Sequence, residues 1–309
     1  MEQDITVELP EGEALRADKY ISGRGIMSRS QFEVRKLRIY MEGSEIRLSR
    51  KVRNGEFLHI TWEEPEEPEY GPEEMDLDII YEDERVVVLN KPQGMVVHPG
   101  NGNYTGTLVQ GLLYYNKSLS HSFDGEVLRP GIVHRLDKDT SGLIITAKDT
   151  TALEELSLQF RERSTEKYYI ALVKGRMPAR RGDIETYITR DERNRKKFTV
   201  HKSRGKHALT RYEVMKAWDK YTLVRLKLET GRTHQLRVHL LSLGCPILGD
   251  PIYARKDNHF PDATLMLHSW KLKIRLPGDE DPREFEVPLP ERFERMRELL
   301  DREEAEAQG

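Results

Sequence analysis

Short apolar runs separated by polar turns predict most of the regular elements of this chain. Four of these runs are rich in β-branched and aromatic residues and predict strands, at residues 86–90, 143–147, 168–173 and 221–228. Apolar residues at helical spacing, among them Leu153, Leu156 and Phe160, predict helices over residues 108–115 and 151–163. Strands and helices are mixed without a regular strand–helix–strand alternation, so the pattern predicts an α+β fold and not a doubly wound parallel sheet.

The first 60 residues show a different pattern. Residues 15–21 have the spacing of a short helix, and Ser28-Arg29-Ser30 predicts the start of a second helix through Phe32. Short β-like runs then follow, from Ile39 to Ile60. We therefore expect a small helix-helix-sheet module at this end of the chain.

Charge divides the chain more sharply than hydropathy does. Residues 14–60 carry 11 Lys and Arg against five Asp and Glu, an excess of six positive charges, and residues 63–78 carry nine carboxylates with no Lys or Arg. Prolines at 65, 68 and 72 interrupt regular structure in the acidic stretch, which predicts an extended linker. The overall net charge of −3 conceals a basic module suited to a polyanion.

Composition excludes several classes of protein. The 309 residues are enough for two domains. The lone Cys245 excludes an internal disulfide framework, and no run of about 18 apolar residues predicts a transmembrane helix. The acidic start of the sequence does not have the pattern of a signal peptide, so we expect a cytoplasmic protein without a membrane partner.

Residues 134–142, His-Arg-Leu-Asp-Lys-Asp-Thr-Ser-Gly, contain the strongest candidate for chemistry. Asp137 lies in a polar turn just before the buried run 143–147, beside the cation Arg135. A carboxylate fixed near a cation stays ionised and can act as a nucleophile. The alternative is a turn Asp that only accepts hydrogen bonds from nearby backbone amides.

That block resembles the H-R-L-D-x-x-T-S-G signature of the RluA/RluD-type RNA pseudouridine synthases at every fixed position. Further segments similar to motifs of this family occur along the chain in the expected order, and the resemblance runs from about residue 75 to about residue 290. Residues 96–100 point to the RluD-like branch. The other matching segments are residues 90–94, 167–169, 230–239 and 244–254. Several motifs in one order are much more specific than one short pattern.

The resemblance implies an isomerase that converts uridine to pseudouridine in structured RNA, most directly large-subunit ribosomal RNA, after the base is flipped out of its stack. It also implies a catalytic domain built on a mixed, mainly antiparallel sheet flanked by helices and loops. The basic module is similar to a small RNA-binding module shared with a small-subunit ribosomal protein. The expected divisions are residues 1–62 (RNA-binding module), 63–76 (acidic linker), 77–290 (catalytic domain) and 291–309 (charged tail).

By this resemblance, Asp137 acts at the ribose and Arg237 pairs with it. Tyr169 packs on the target uracil and is a candidate base, although an ordinary tyrosine has a pKa near 10 and would need a lowered pKa or a water relay. Arg135 is expected to help extrude the base or hold phosphate, and Leu236 to line the uracil pocket. Four further cations are assigned to RNA contacts: Lys91 of the 90–94 segment, Arg29 of the basic module, and Arg195 and Lys196 of the basic run 190–206.

Other interpretations stay open at the level of sequence. A catalytically silent RNA-binding protein would use the same basic module, transfer RNA could replace ribosomal RNA, and a nucleoside hydrolase would release free uracil. A hydrolase usually needs a second catalytic carboxylate, which no motif supplies. His234 and His239 are five residues apart and outside an H-E-x-x-H pattern, so we predict no metal, no cofactor and no required protein partner.

Overall fold

The computed structural model describes residues 1–27, 32, 35–63, 71–100, 102–116, 131–194 and 196–308. The chain divides into two units, Met1–Glu69 and Tyr70–Gly309. Most of the second predicted helix, the centre of the acidic segment, and the candidate residues Arg29 and Arg195 lie outside the described residues.

Unit 1 is a small α+β unit with its own core. Helix α1 covers Ala17–Gly23, and a four-stranded antiparallel sheet has the order β1-β6-β3-β4, beside a separate β2-β5 pair. Ile21, Ile39, Leu58 and Ile60 are fully buried between these elements. The strands are β1 Glu2–Thr6, β2 Ala14–Arg16, β3 Arg38–Met41, β4 Ser44–Ile46, β5 Lys51–Arg53 and β6 Phe57–Thr61.

Unit 2 is built on one ten-stranded sheet. Its order is β12-β11-β13-β14-β10-β15-β9-β8-β7, with β16 paired to β15, and every pairing is antiparallel except the parallel contact of β15 with β9. The strands are β7 Ile79–Glu82, β8 Val86–Lys91, β9 Ser141–Ala147, β10 Glu166–Lys174, β11 Arg181–Arg190, β12 Phe198–His201, β13 Lys206–Ala217, β14 Tyr221–Leu228, β15 Leu267–Ile274 and β16 Arg283–Glu286. The α+β prediction, with a mixed and mainly antiparallel sheet, is confirmed.

Four described helices flank this sheet: α2 Leu108–Tyr115, α3 Thr150–Glu162, α4 Gln235–Ser242 and α5 Glu291–Gln308. Helix α3 starts where its sequence predicts, because the Asp149 carboxylate accepts the Ala152 amide as an N-cap. The C-terminal segment, expected as a charged tail, is helix α5. Its Phe293 is fully buried in the main core, so the segment is part of unit 2.

The centre of the sheet is buried on both faces. Successive residues of β8 alternate between two apolar clusters, with Val87 and Leu89 in one and Val86 and Val88 in the other. All seven residues of β9 are buried. This double burial explains why β8 and β9 have continuous apolar runs instead of alternating ones. None of the helices in the described part of the chain has the length and hydrophobicity needed to cross a membrane.

Candidate active site

One cavity of about 130 Å³ brings together five of the residues predicted from sequence. It is lined by the loop before β9, by β10, by the end of β14 and by the first turn of α4. The predicted residues in its lining are Arg135, Asp137, Tyr169, Leu236 and Arg237. Residues up to 102 positions apart in sequence, Arg135 and Arg237, therefore converge on one space.

The position of Asp137 is fixed by the turn that follows it. The Thr140 amide donates to the Asp137 carbonyl at 3.1 Å, and β9 begins at the next residue. Gly142 has φ +112°, and a Cβ there would lie 2.2 Å from the Ser269 carbonyl oxygen of β15. Only glycine permits this close parallel contact, which holds the Asp137 turn against the sheet.

The buried side chain of Lys91 also stabilises the Asp137 turn. Its ammonium donates to the carbonyls of Pro92 at 2.9 Å, Met95 at 2.8 Å and Lys138 at 3.2 Å, and the residue is only 1% exposed. Burial lowers the pKa of Lys91 to about 8 despite the nearby carboxylates of Asp139 and Asp137. All three ammonium protons are directed at carbonyls, so this geometry supports a structural role and argues against the RNA contact expected from sequence.

Arg237 lies between two carboxylates. Its Nε and Nη2 donate to the two oxygens of Asp250, each at 2.7 Å, and its Nη1 donates to Oδ2 of Asp137 at 3.2 Å. Arg237 is 4% exposed, whereas the side chain of Asp137 keeps 22% of its surface open to the cavity. Burial disfavours the guanidinium cation, but the hydrogen bonds and charge of Asp250, reinforced by Asp137, raise the pKa of Arg237 above its usual value.

A histidine lies on the other side of Asp137. His234 immediately precedes α4 in the left-handed region at φ +56°, and its Nε2 is 3.8 Å from Oδ2 of Asp137. Its Nδ1 is hydrogen-bonded to the Tyr253 hydroxyl at 2.8 Å, and that hydroxyl accepts the Phe198 amide of β12. Burial lowers the pKa of His234, so the imidazole is neutral at pH 7 and adds no positive charge next to the carboxylate.

Tyr169 forms an apolar wall of the cavity. It lies in β10 between Leu226 of β14 and Ser269 of β15, and it is 6% exposed. Burial raises the pKa of Tyr169 to about 12, and the charge of Asp137 acts in the same direction. The lowered pKa that an anionic base would need is therefore not found at this position.

Several polar residues of the same motifs have structural roles. The Gln235 amide donates to the Leu209 carbonyl and the Thr210 hydroxyl, and His239 is hydrogen-bonded between the hydroxyls of Thr186 and Thr210. Burial lowers the pKa of His239 to about 4. These contacts fix α4 on the sheet and so aim Arg237 into the cavity. No cluster of metal-ligating side chains occurs among residues that the structure describes.

The remaining predicted RNA contacts differ in placement. Arg135 is exposed at the cavity, and Leu236 lines it while staying buried. Lys196 is exposed in the loop between β11 and β12, outside the cavity. Of the two predicted cations that the structure describes here, Arg135 lines the cavity around Asp137 and Lys196 does not.

Sequence reasoning missed Asp250, His234 and Tyr253 as parts of the site. Asp250 and Tyr253 stood in the recognised 244–254 segment without a role, and His234 was considered only as a metal ligand. The sequence contained one indication of a role for Asp250. It directly follows Gly249, and a turn at that glycine can direct the next carboxylate toward the protein interior. Nothing in one sequence indicates which cation that carboxylate meets.

Comparison with known proteins agrees with this geometry. A family model described as RNA pseudouridylate synthase matches residues 85–242, which include the Asp137 turn, β10 and α4. Two relatives match almost the whole chain. The ribosomal large subunit pseudouridine synthase D of Borreliella burgdorferi is 45% identical over 91% of this chain and 88% of its own. An uncharacterized RNA pseudouridine synthase of Aquifex aeolicus is 44% identical over 94% of this chain and 95% of its own.

Solved structures give the same family. Human RNA pseudouridylate synthase domain containing 4 superimposes with a TM-score of 0.56 at 27% identity, over 71% of this chain and 93% of its own. The corresponding human domain-containing protein 1 gives 0.55 at 27% identity, over 73% and 95%. The fold and site thus define an RNA-modifying isomerase. The chain belongs to the RNA pseudouridylate synthase family.

Proposed function

We propose that this enzyme converts specific uridines of large-subunit ribosomal RNA to pseudouridine, with Asp137 acting on the ribose of a flipped nucleotide. The name of the Borreliella burgdorferi relative, similar over 91% of the chain, supports the substrate. The chemical role of Asp137 is supported by its place in the cavity lining and by its ion pair. It is the one carboxylate in the cavity lining found among the described residues, and its Oδ2 is paired with a buried guanidinium.

The cavity suits a base that has left its stack. Flipping costs a few kcal/mol and is easiest for a base that is already unpaired. Tyr169 and Leu236 offer apolar surface to the uracil ring, and aromatic side chains commonly stack on unstacked RNA bases. Arg135, exposed at the same cavity, is placed to hold the backbone or to occupy the gap left by the flipped base.

Asp137 can act in either of two ways from this position. As a nucleophile, a carboxylate oxygen attacks C1′, the glycosidic bond breaks, and its electron pair moves to N1 of uracil. As a base, the carboxylate takes the C2′ proton and promotes elimination. In the first route the uracil turns, and C5 attacks C1′ and displaces the Asp137 carboxylate from the sugar; in the second, C5 bonds to C1′ of the glycal and C2′ regains its proton. In both routes C5 then loses its proton and N1 gains one. The buried walls of Leu136 and Tyr169 limit the water that would otherwise divert the intermediate to an abasic product.

Tyr169 works as a neutral phenol in this proposal. With a pKa raised to about 12 it is protonated at pH 7, so it positions the uracil through its ring. Loss of the C5 proton then uses a relay or the Asp137 carboxylate, once the bond to the sugar has been remade.

RNA beyond the target nucleotide is held by positive surface elsewhere. Within unit 1, residues 14–60 carry an excess of six positive charges. In unit 2 the hairpin of β11 and β12 presents Lys196 on an exposed loop. Phosphate contacts of this kind supply affinity and orientation, while the cavity selects the base.

The direct test is pseudouridine mapping of total RNA from cells with and without the gene for this protein. We expect the loss of one or a few pseudouridines in large-subunit ribosomal RNA, and their return with the wild-type gene. Loss confined to transfer RNA would overturn the substrate. Release of free uracil by the purified enzyme would identify a hydrolase, and an unchanged map would leave only an RNA-binding protein.

A further inference from the structure

The side chain of Arg292, at the start of helix α5, reaches the two strands that meet beside the Asp137 turn. Its Nη2 donates to the Ser141 hydroxyl at 2.6 Å and lies 3.5 Å from the Leu267 carbonyl oxygen. Ser141 is the first residue of β9 and Leu267 the first of β15, and these two strands form the parallel contact of the sheet. One guanidinium therefore holds the starts of both strands together.

The Ser141 hydroxyl is also fixed by a second partner. Ser141 is 3% exposed, and its Oγ is hydrogen-bonded to Nδ1 of the fully buried His268 at 2.9 Å. Burial, reinforced by the charge of Arg292, lowers the pKa of His268 to about 4, so this imidazole is neutral at pH 7. Because a guanidinium can only donate, the Ser141 oxygen accepts from Arg292, which leaves the hydroxyl proton free for Nδ1. The start of β9 is thus bonded to both α5 and β15.

The strand starts that Arg292 contacts are continuous with the cavity lining. Thr140, which precedes Ser141, and Leu267 both line the cavity. The Thr140 amide also closes the Asp137 turn by donating to the Asp137 carbonyl. Arg292 is not among the described residues that line the cavity, so its connection to Asp137 runs through the backbone of the turn.

Arg292 holds this position at a cost in stability. Arg295 and Arg297 of the same helix are each paired with a glutamate, whereas no ion pair is found for Arg292 among the described residues. Burial lowers the pKa of Arg292 to about 10, and its buried Nε has no hydrogen-bond partner in the part of the chain that the structure describes. A buried cation without an ionic partner is less stable than an apolar side chain of similar size. Local costs of this kind are found mainly at functional sites.

We propose that Arg292 is a positioning residue for pseudouridine formation, which fixes the start of β9 through Ser141 and so holds the Asp137 turn in place at the ribose. This inference rests on the proposed role of Asp137. Two cations then hold the turn at different residues, since Lys91 donates to the Lys138 carbonyl while Arg292 donates to Ser141. Helix α5 is thereby part of the catalytic unit, although it contributes no residue to the cavity lining found in the described ranges.

The decisive variant is Arg292→Met, which keeps an unbranched side chain and removes the cation and its hydrogen bond. We expect kcat to fall by about 30-fold with KM within about twofold of wild type, because a displaced reacting group slows turnover while the RNA-binding surface is unchanged. Both constants are measured on an RNA that contains the target uridine. Tm should stay the same or rise, since a buried cation without an ionic partner has been removed. A lower Tm with a normal kcat per folded enzyme would show a purely structural role and overturn the proposal.

Arg295→Met is the matched control. Arg295 lies in the same helix one turn later, is exposed, and is paired with Glu291 at 2.7 Å. Its replacement should leave kcat and KM within about twofold of wild type. An equal fall of kcat in the two methionine variants would contradict a specific role for Arg292.

Added guanidinium provides a second readout. Arg292 and Arg295 both line another cavity, of about 400 Å³, between α5 and residues 259–266, so a small cation can reach the space that Arg292→Ala leaves. Guanidinium at millimolar concentration should raise the kcat of Arg292→Ala by about fivefold or more and leave wild type and Arg295→Ala unchanged. No rise in Arg292→Ala, or the same rise in all three proteins, would count against the positioning role.

A double-mutant cycle tests whether Arg292 acts through Ser141. In a Ser141→Ala background, Arg292→Met should lower kcat by less than about threefold more, since the hydroxyl it holds is gone. Losses that multiply instead would show an independent role and contradict the inference. Asp137→Asn separates the two claims: a wild-type rate there rejects the proposed function itself, whereas an inactive Asp137→Asn with a normal Arg292→Met rejects only the positioning role.

Discussion

Lys91 and Arg135 are both cations close to Asp137, but the protein uses their charges differently. The Lys91 ammonium is enclosed and donates to three carbonyls of the segments that form the Asp137 turn. Arg135 is exposed in the cavity lining. At the scale of single residues, the charge of Lys91 stabilises the Asp137 turn, whereas the charge of Arg135 is exposed and available to the RNA.

This difference predicts opposite effects on binding and stability. Lys91→Met leaves three buried carbonyls without a donor, so the free energy of unfolding should fall by about 1–3 kcal/mol while the salt dependence of RNA binding stays unchanged. Arg135→Ala should leave stability unchanged and reduce the slope of log K against log salt by about 0.7–0.9. Denaturant melts and filter binding over a salt series measure both. A changed slope in Lys91→Met alone would contradict the assignment.

Tyr169 gives a prediction about alkaline pH. Its pKa of about 12 keeps the phenol protonated, and a base that worked only as the anion would gain about tenfold in rate for each pH unit below that value. We expect the single-turnover rate to be flat between pH 8 and 10 in wild type. A tenfold rise per unit that disappears in Tyr169→Phe would show that the phenolate is the base.

At the scale of elements, the loop that carries Asp137 is joined to β9 by a neutral histidine. His134 accepts the Ile145 amide at Nε2 and stacks on Phe160 of α3, with ring centroids 4.5 Å apart. Burial lowers the pKa of His134 to about 3. The hydrogen bond that His134 accepts from β9 therefore exists only while this ring is uncharged.

Protonation of His134 makes the stability of the folded chain depend on pH. Below pH 6.5 His134 is protonated in the unfolded chain and stays neutral in the folded chain. The free energy of unfolding therefore decreases as the pH falls from 6.5 toward about 3. Replacing His134 by Gln, which still offers an acceptor, should flatten the curve of unfolding free energy against pH by about 1.4 kcal/mol per unit in that range.

The elements also show what a single sequence can and cannot reveal. Strand β9 and helix α3 were predicted closely because their burial has a simple pattern, continuous for β9 and one-sided for α3. Helix α4 was recognised only as a motif. Its residues from Gln235 to Leu240 are all buried, so it has no polar face to produce a helical period.

Within the site, the family motif identified Asp137, Arg237 and Tyr169, and the cavity brings them together. The contact of Asp250 with Arg237 could not be predicted, because a buried ion pair between a loop residue and a helix residue leaves no periodic trace in sequence. The burial of Lys91 at the end of β8 was not anticipated either, because a lysine is usually exposed.

At the scale of the whole molecule, each unit has its own apolar core. The cluster around Ile21, Ile39 and Leu58 lies entirely in unit 1, and the clusters that contain β8, β9 and α5 lie entirely in unit 2. The cavity lining also belongs entirely to unit 2. Unit 2 can therefore be tested without unit 1.

A fragment of residues 71–309 should accordingly fold cooperatively and keep kcat within about threefold at saturating RNA, because it retains the complete cavity. Its KM should rise by about tenfold or more at moderate salt, since the basic excess of residues 14–60 is lost. Calorimetry and steady-state kinetics at two salt concentrations test this. A folded fragment with wild-type KM would show that unit 1 does not bind the substrate.

The central claim is that the Asp137 carboxylate performs the chemistry, and the most direct measurement is single-turnover conversion of uridine by Asp137→Asn. Asp139→Asn, two residues along the same turn, is the matched control. The account predicts that Asp137→Asn binds RNA with wild-type affinity and loses about 10³-fold or more in rate, while Asp139→Asn stays within about threefold of wild type. Conversion by Asp137→Asn at a rate near wild type would contradict it.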